Sequence, residues 1–453
     1  MTTPYPYQLE GVEVLERFKG RSLLADEMGL GKSFETLLYM QRNPDVLPAV
    51  IVCPASLKYN WEREATIHIG RRAVVLEGTK PSRGGFHQRH GIIVLNYDIL
   101  HAWVDVLEKL KPQLIIFDEC QYLSSPGARR TKAARLLSRS IPHVLGLSGT
   151  PLTNRPAELW SVLNMIRPDL YPSFYPYAHR YCGPKRTPWG TEYKGATNLG
   201  ELHTNLKRDL MVRRLKADVL KDLPEKQRSI VPVVVQDYDE YAQAQKDYLS
   251  WIGKRIPSKL AGAERTEQLS KLNGMKQLAG RLKLPATIEW IDSFLEGSEG
   301  KLIVFAVHRA LVKDLYERFQ PTAVMVNGSV TGYKRQLAVD KFQKDRKTRL
   351  FIGNIQAAGK GLTLTAASTV VFAEYGWTPA EHLQAEDRIH RIGQKKVSDC
   401  YYLTAKGTLE EWLVDYIQRK QKTLNAVLDD GEGEDMEFVA DKLTRHLLRE
   451  NKS

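Results

Sequence analysis

Leu23-Leu24-Ala25-Asp26-Glu27-Met28-Gly29-Leu30-Gly31-Lys32-Ser33 joins a short apolar run to a helix-forming one. The apolar run reads as a strand ending at Ala25. Lys32 and Ser33 open a helix that continues through Phe34, Leu37, Leu38 and Met40. Between them Met28, Gly29, Leu30 and Gly31 form a loop. Its glycines let backbone N–H groups turn towards a phosphate chain, above the positive end of the helix dipole. In that geometry Lys32 reaches β- and γ-phosphates, and the Ser33 hydroxyl takes a Mg²⁺ position. The strict phosphate-loop pattern begins with a glycine where this chain has Asp26. The competing reading is an ordinary strand–turn–helix that happens to contain Gly-Lys-Ser.

Further along, apolar runs recur at Ser22–Ala25, Ala49–Cys53, Ile92–Asn96, Leu114–Asp118 and Val144–Leu147. Helical patterns such as Leu57–Ala65 and Thr131–Leu137 separate them. Continuous Val/Ile/Leu strands alternating with helices predict an α/β fold, with a parallel sheet covered on both faces. Ligands of such folds lie beyond the carboxyl ends of the strands. Asp26, Pro54, Asn96, Asp118 and Ser148 fall there. From Ala157 to about Pro285 the alternation stops. Aromatics and prolines cluster in Tyr171–Trp189, and Leu202–Val219 and Tyr238–Ile256 read as helices. That is too long for a connecting loop and is expected to be helical insertions. Alternation resumes with Lys301–Phe305, Ala323–Asn327, Arg349–Gly353, Thr369–Ala373 and Asp399–Thr404. The expected organisation is a first lobe over 1–165, insertions over 166–284 and a second α/β lobe over 285–428. An acidic linker with a short helical tail is expected over 429–453.

A chain of 453 residues, 42% hydrophobic and 26% charged, has material for two or three globular domains. Lys and Arg outnumber Asp and Glu by 66 to 53, a net charge of +13 that favours a polyanionic partner such as nucleic acid. Cys53, Cys120, Cys182 and Cys400 form no Cys-x-x-Cys pair, which argues against a zinc site or disulfide framework. The start, Met-Thr-Thr-Pro-Tyr-Pro-Tyr-Gln, lacks the basic and apolar parts of a signal peptide. No apolar run approaches the ~18 residues of a membrane span.

Three further stretches carry chemistry. Leu114-Ile-Ile-Phe-Asp118-Glu119 is a strand ending in paired acids. Either they are a solvated strand end, or Asp118 holds Mg²⁺ and Glu119 polarises an attacking water. Leu147-Ser148-Gly149-Thr150-Pro151 is either a plain turn or a hydroxyl-bearing sensor of the nucleotide. In Gln384-Ala-Glu-Asp-Arg388-Ile-His-Arg391-Ile-Gly-Gln394 the arginines are three apart, which on a helix places them on one face. They read either as a pair of arginine fingers or as part of a helix with local salt bridges from Glu386 and Asp387.

Taken in order, these motifs resemble Swi/Snf-type ATPases of helicase superfamily two. The resemblance is carried by Tyr7-Gln8-Leu-Glu-Gly11-Val, Asp26–Ser33, Val52-Cys-Pro-Ala-Ser-Leu-Lys58-Tyr-Asn-Trp61, Asp118–Gln121, Leu147–Pro151, Gln356-Ala-Ala-Gly-Lys360-Gly361-Leu-Thr363 and Gln384–Gln394. It covers Tyr5 to about Leu428. Asp118-Glu-Cys-Gln121 departs from the family's Asp-Glu-Ser/Ala-His. Arg180-Tyr-Cys-Gly-Pro-Lys-Arg-Thr-Pro-Trp189-Gly, Asn198-Leu-Gly-Glu-Leu and Arg213-Arg-Leu-Lys-Ala-Asp-Val-Leu are similar to the annealing-helicase, HARP-related branch.

The resemblance implies two RecA-like lobes, ATP and Mg²⁺ as cofactors, and a double-stranded or forked DNA partner. It implies Gln8 as the adenine reader. Met28–Ser33 and Gly361 bind nucleotide, and Ser33 and Asp118 take the metal. Lys32, Asp118, Glu119, Arg388 and Arg391 carry catalysis. Lys58, Asn96, Arg129, Asn327, Lys360, Thr363 and Trp377 line the duplex groove. The expected function is a DNA-dependent ATPase that translocates on duplex DNA and remodels or anneals forks. A strand-separating helicase or an ATP-driven remodeller of a protein–nucleic-acid complex shares the same engine. The chain is expected to be a monomeric motor without a folded DNA-recognition domain of its own. Fork preference is expected from Trp189–Leu202 or from a nuclease or replication protein. Its compact size suggests a cytoplasmic protein of a bacterium or phage-infected cell, or a nuclear one in a eukaryote.

Overall fold

The computed structural model describes residues 3–81, 91–149, 156–187, 190–193, 195–255, 257, 260, 262–330, 332–359, 362–426 and 436–451. Two compact units meet in sequence at Asp222 and Leu223.

Unit 1 is built on β1 (Arg21–Leu24), β2 (Ala49–Cys53), β3 (Ala73–Val75), β4 (Ile92–Asn96), β5 (Leu114–Asp118) and β6 (His143–Leu147). A hairpin of β7 (Lys185–Thr187) and β8 (Gly190–Glu192) follows, then the two-residue β9 (Met211–Val212). β9 joins the main sheet, which runs β3-β4-β2-β5-β6-β1-β9 with every pairing parallel. Side chains alternate across a strand, so each strand feeds two cores. Leu23, Val50 and Val52 pack on one face; Leu24, Ile51 and Cys53 pack on the other. Both faces are covered by helices, which is why these strands read as unbroken apolar runs.

Unit 2 contains β10 (Lys226–Val233), β11 (Leu302–Ala306), β12 (Ala323–Val326), β13 (Leu350–Asn354), β14 (Thr369–Phe372) and β15 (Ser398–Ala405). Its sheet runs β10-β15-β14-β11-β13-β12, again parallel throughout. Ile303 and Phe305 face one core, Leu302 and Val304 the other. No helix among the described residues is long and apolar enough to cross a membrane.

The α/β alternation and parallel sheets are as the sequence implies. The stretch 166–284 is not one helical block. The segment Leu202–Val219 breaks into helix Leu199–Asp209, β9 and the short helix Lys216–Val219, and β9 joins the sheet of unit 1. Beyond Asp222 the chain belongs to unit 2 and supplies its edge strand β10. The basic stretch before Leu284 is the long helix Gly262–Leu282. Most of the expected acidic linker lies outside the described residues, and the expected tail helix forms. Helix Met436–Glu450 buries Val439, Ala440, Leu443 and Leu447 in the core of unit 2.

Candidate nucleotide-binding site

The phosphate-type loop lies at the carboxyl end of β1, and β9 explains its first residue. β9 pairs with β1 in the register Leu23↔Met211 and Leu24↔Val212, which delivers Arg214 beside Asp26. The Arg214 backbone N–H donates to Asp26 Oδ1 at 2.9 Å. Its guanidinium pairs with Asp26 and reaches Glu35 Oε2 at 2.7 Å. Both carboxylates are fully buried. Burial and the Asp26 charge push the Glu35 carboxyl up to about 8, and Arg214 opposes that rise. Asp26 therefore anchors the loop to β9 through Arg214, where the strict pattern has a glycine. Gly11 makes room for this pairing, because a Cβ there would lie 1.8 Å from Glu35 Oε1.

Helix Pro6–Arg17 holds the loop from the other side. Tyr7 Oη and Gln8 Nε2 both donate to the Leu30 carbonyl, at 2.8 and 3.1 Å. Gln8 Oε1 accepts from the Tyr5 N–H at 3.0 Å, so both ends of its amide are engaged inside the protein. Gly29 and Gly31 have φ of +85° and +82°, where any Cβ is strained. Gly31 caps helix Lys32–Arg42, with half-buried Ser33 in its first turn. Met28 is buried against Gly149, the glycine of the Ser148–Pro151 motif. Thr150 and Pro151 lie outside the described residues. Lys32 Nζ donates to the carbonyls of Asp26 and Glu27 at 2.7 and 3.2 Å. Burial lowers its pKa, while the charges of Asp26, Glu119 and Asp118 oppose that shift.

The paired acids stand at the end of β5. Asp118 accepts from the Trp61 indole N–H at 2.9 Å and from the Glu119 N–H at 3.0 Å. Burial, then the neighbouring Glu119 charge, raises its carboxyl to about 7; Trp61 and Lys32 pull the other way. Glu119 has φ +53° and ψ +53°, a left-handed conformation unusual for a non-glycine residue and frequent at functional sites. Gln121 Nε2 donates to Glu119 Oε2 at 2.6 Å, so the family's histidine position still orients the second acid. Motif reading did not single out Trp61 as the residue that orients Asp118.

This donor set fits a magnesium nucleotide. An ammonium and a helix N-terminus complement phosphate charge. A hydroxyl and a carboxylate are the hard oxygen ligands that Mg²⁺ takes. Both acids lie close enough to Lys32 to favour its charged form, and Lys32 in turn favours ionised Asp118.

In unit 2 the expected arginine helix is shorter than expected. Helix Pro379–Glu386 ends before either arginine. Both arginines still converge on one carbonyl. Arg388 Nη1 and Arg391 Nη1 donate to Leu362 O at 3.0 and 3.1 Å. They are not equivalent. Arg388 is buried and also bonds Gln384 O at 2.8 Å, so it holds the fold of unit 2 and does not present its guanidinium to solvent. Arg391 is half-buried and also donates to Thr363 Oγ1 at 3.1 Å. Glu386 does not serve as a local salt-bridge partner for them. It binds Lys226 at 2.9 Å and Arg228 at 2.7 Å on β10. Burial opposes its ionisation, yet those two cations hold its carboxyl down at about 2.

The expected DNA contacts divide. Lys58 is buried, with Nζ donating to Leu76 O at 2.9 Å. Trp377 packs in the core of unit 2, and its indole donates to Asn273 Oδ1 at 3.0 Å. Asn96 is buried at the end of β4 and bonds Asp98 at 3.2 Å. Asn327 caps a turn by accepting from the Ser329 N–H at 3.0 Å. Arg129 and Thr363 are exposed. Lys360, Gly361 and Trp189 lie outside the described residues.

The SNF2-related domain family matches residues 7–279, and the helicase conserved C-terminal domain matches 284–393. The chain is 36% identical over 435 residues to the Caenorhabditis elegans SWI/SNF-related matrix-associated actin-dependent regulator of chromatin subfamily A-like protein 1 homolog, covering 93% of this chain and 61% of that protein. It is 33% identical over 446 residues to the human DNA annealing helicase and endonuclease ZRANB3, covering 94% of this chain and 40% of that one. The chain thus spans between two-fifths and three-fifths of these relatives' lengths. A solved Sulfolobus solfataricus SWI2/SNF2 ATPase core in complex with double-stranded DNA aligns at 24% identity with a TM-score of 0.46, over 99% of this chain and 96% of that one. These curated relatives are animal proteins, so the bacterial or phage cytoplasmic expectation draws no support from them. With 7–279 and 284–393 both accounted for by its two characteristic domains, the chain belongs to the SNF2-related family of helicase-type ATPases.

Proposed function

We propose that the chain is a DNA-dependent ATPase that translocates on double-stranded DNA and anneals or remodels forked DNA. The observation that carries the reading is the joint placement of Lys32, Asp118 and Glu119 at the carboxyl ends of β1 and β5. Lys32 leaves the Asp26 and Glu27 carbonyls to neutralise phosphate charge, and the Gly29–Ser33 backbone cradles it. Ser33 and Asp118 would hold Mg²⁺, which supplies Lewis-acid charge stabilisation when bound. Glu119, steadied by Gln121, orients and deprotonates the attacking water. Gln8 reads the adenine edge by exchanging its bond to Leu30. Arg391 supplies positive charge from unit 2 during turnover, and Arg388 positions the Leu362–Thr363 segment that Arg391 touches. Phosphate contacts give grip without sequence readout.

ATP hydrolysis is measured with duplex, single-stranded and forked DNA and RNA supplied separately. Strong stimulation by duplex and fork, with little strand separation, is the expected result. Hydrolysis indifferent to every nucleic acid overturns the reading, and efficient duplex unwinding reassigns the motor to a strand-separating helicase. Working as a monomer beside a nuclease or replication protein belongs to the same proposal.

A further inference from the structure

Helix Met436–Glu450 carries two stripes. Val439, Ala440, Leu443 and Leu447 enter the core of unit 2. Thr444 and Asp441 fasten the same side, through Gln268 at 3.0 Å and Arg265 at 2.5 Å. The neighbouring stripe is Lys442, Arg445, His446 and Arg449, spaced so that one face presents them all. On helix Leu409–Ala426, Trp412, Tyr416 and Arg419 follow the same rhythm. Together these side chains line an open groove of about 380 Å³.

The groove is cationic and has an aromatic floor. Trp412 and Tyr416 stack at 5.0 Å, and Lys442 Nζ lies 5.6 Å over the Tyr416 ring. Among the described residues two acids stand at it: Asp415, bonded to Arg419, and Glu450, 3.2 Å from His446. Among the described residues no acid pairs with Arg445 or Arg449, and Arg445 Nε meets only the Asp441 carbonyl of its own helix at 3.3 Å. Tyr416 is 6% exposed, and its hydroxyl has no hydrogen-bond partner among the described residues. A buried hydroxyl left unpaired is destabilising, so a ligand acceptor at the groove would relieve a standing penalty.

We propose that this groove is a DNA contact outside the motor motifs, gripping the phosphodiester backbone. A phosphate supplies both the negative charge that Arg445 and Arg449 lack and an acceptor for Tyr416. The stripe from Lys442 to Arg449 runs about 10.5 Å along the helix axis. That matches the axial run of about three phosphates on one strand. The choice of DNA as the polyanion rests on the proposed function; the groove itself does not.

The test uses the full chain without nucleotide and two fluorescent probes, a duplex of about 30 base pairs and its single strand, across a salt series. The combined Arg445→Glu and Arg449→Glu variant is expected to lose about tenfold or more in affinity for at least one probe. Its salt slope should flatten by about 2. Tyr416→Phe keeps the ring and should weaken binding a few-fold without lowering the melting temperature. ATP hydrolysis at saturating duplex should stay at the parental level in both variants. Parental affinity and slope for both probes in the double variant overturn the proposal. So does an oligoglutamate peptide that binds the parent but not the double variant while DNA affinity is unchanged in both, which would assign the groove to an acidic protein segment. A parent whose ATPase ignores DNA would sink the motor reading and leave these binding measurements readable.

Discussion

That Lys32 opens the helix after β1 and that the two acids stand at the end of β5 was legible in the sequence, because both follow distinctive apolar runs. Which way a side chain points was not. Lys58 sits in a motif beside Trp61, yet Lys58 turns inward to Leu76 and Trp61 is the one that touches the site. Lys32→Ala is expected to abolish ATP hydrolysis while DNA affinity survives, and hydrolysis within about tenfold of the parent would contradict the placement. Trp61→Phe keeps most of the apolar volume but removes the N–H from Asp118. Such outer-shell losses typically reduce metal affinity or activity ~10–100-fold, so Mg²⁺ titration of the ATPase should show a weaker dependence midpoint. Lys276 gives a pH test in unit 2. It is buried with Nζ 4.3 Å over the Trp377 ring. Burial lowers its pKa to about 8 against the pull of Glu381, Glu374 and Glu410, and Lys283 adds repulsion. Between that value and the ordinary lysine range only the unfolded chain holds the extra proton. Stability conferred by this site therefore rises with pH across that window, and the full cost is present below it. Lys276→Met should stabilise unit 2 by up to about 3 kcal/mol at neutral pH, less any loss of the Trp377 contact. The gain should fade as pH climbs through the window. Urea denaturation at two pH values measures it, and an equal gain at both would refute the assignment.

Long apolar strands could be read because both faces are buried, so their composition is distinctive. β9 and β10 could not. β9 has two residues and hides inside a helical pattern. β10 reads Lys-Gln-Arg-Ser-Ile-Val-Pro-Val, half-exposed at a sheet edge where Pro232 is tolerated. Both short elements nonetheless fix functional motifs from outside: β9 through Arg214 on Asp26, β10 through Lys226 and Arg228 on Glu386. Arg214→Ala leaves two buried carboxylates without their cation. It should destabilise unit 1 by about 3–5 kcal/mol, seen as an early transition in chemical denaturation. An unchanged transition would mean that Arg214 adds no net stability to the buried pair. The end of helix Pro379–Glu386 before Arg388 likewise separates two arginines that sequence spacing made equivalent. Arg391→Ala is expected to leave nucleotide binding nearly intact and lower turnover ~10³-fold, whereas Arg388→Ala should first cost stability. A variant of Arg391 that loses nucleotide affinity but keeps turnover would contradict that division.

At the level of the whole molecule, two parallel α/β units were legible from alternation alone. Their boundary was not, because the stretch between them contributes a strand to each sheet. The net charge of +13 does have a measurable consequence. If bound DNA has ~6 phosphates neutralised, affinity should fall on the order of 10³ between about 50 and 200 mM salt, regardless of base sequence. A flat response would mean that the excess charge is dispersed. β10 carries a different consequence, one of timing. Its partner in the sheet is β15, in the register Lys226↔Ser398 to Val233↔Ala405. During synthesis β10 emerges long before the strand it must pair with, whereas each strand of unit 1 precedes β10. The first unit can be finished while the second still waits with an unpaired edge, a situation that invites off-pathway association. Nascent chains arrested before Ser398 should therefore protect unit 1 from protease and leave β10 cleavable; only chains extended beyond helix Met436–Glu450, which completes the core of unit 2, should protect both.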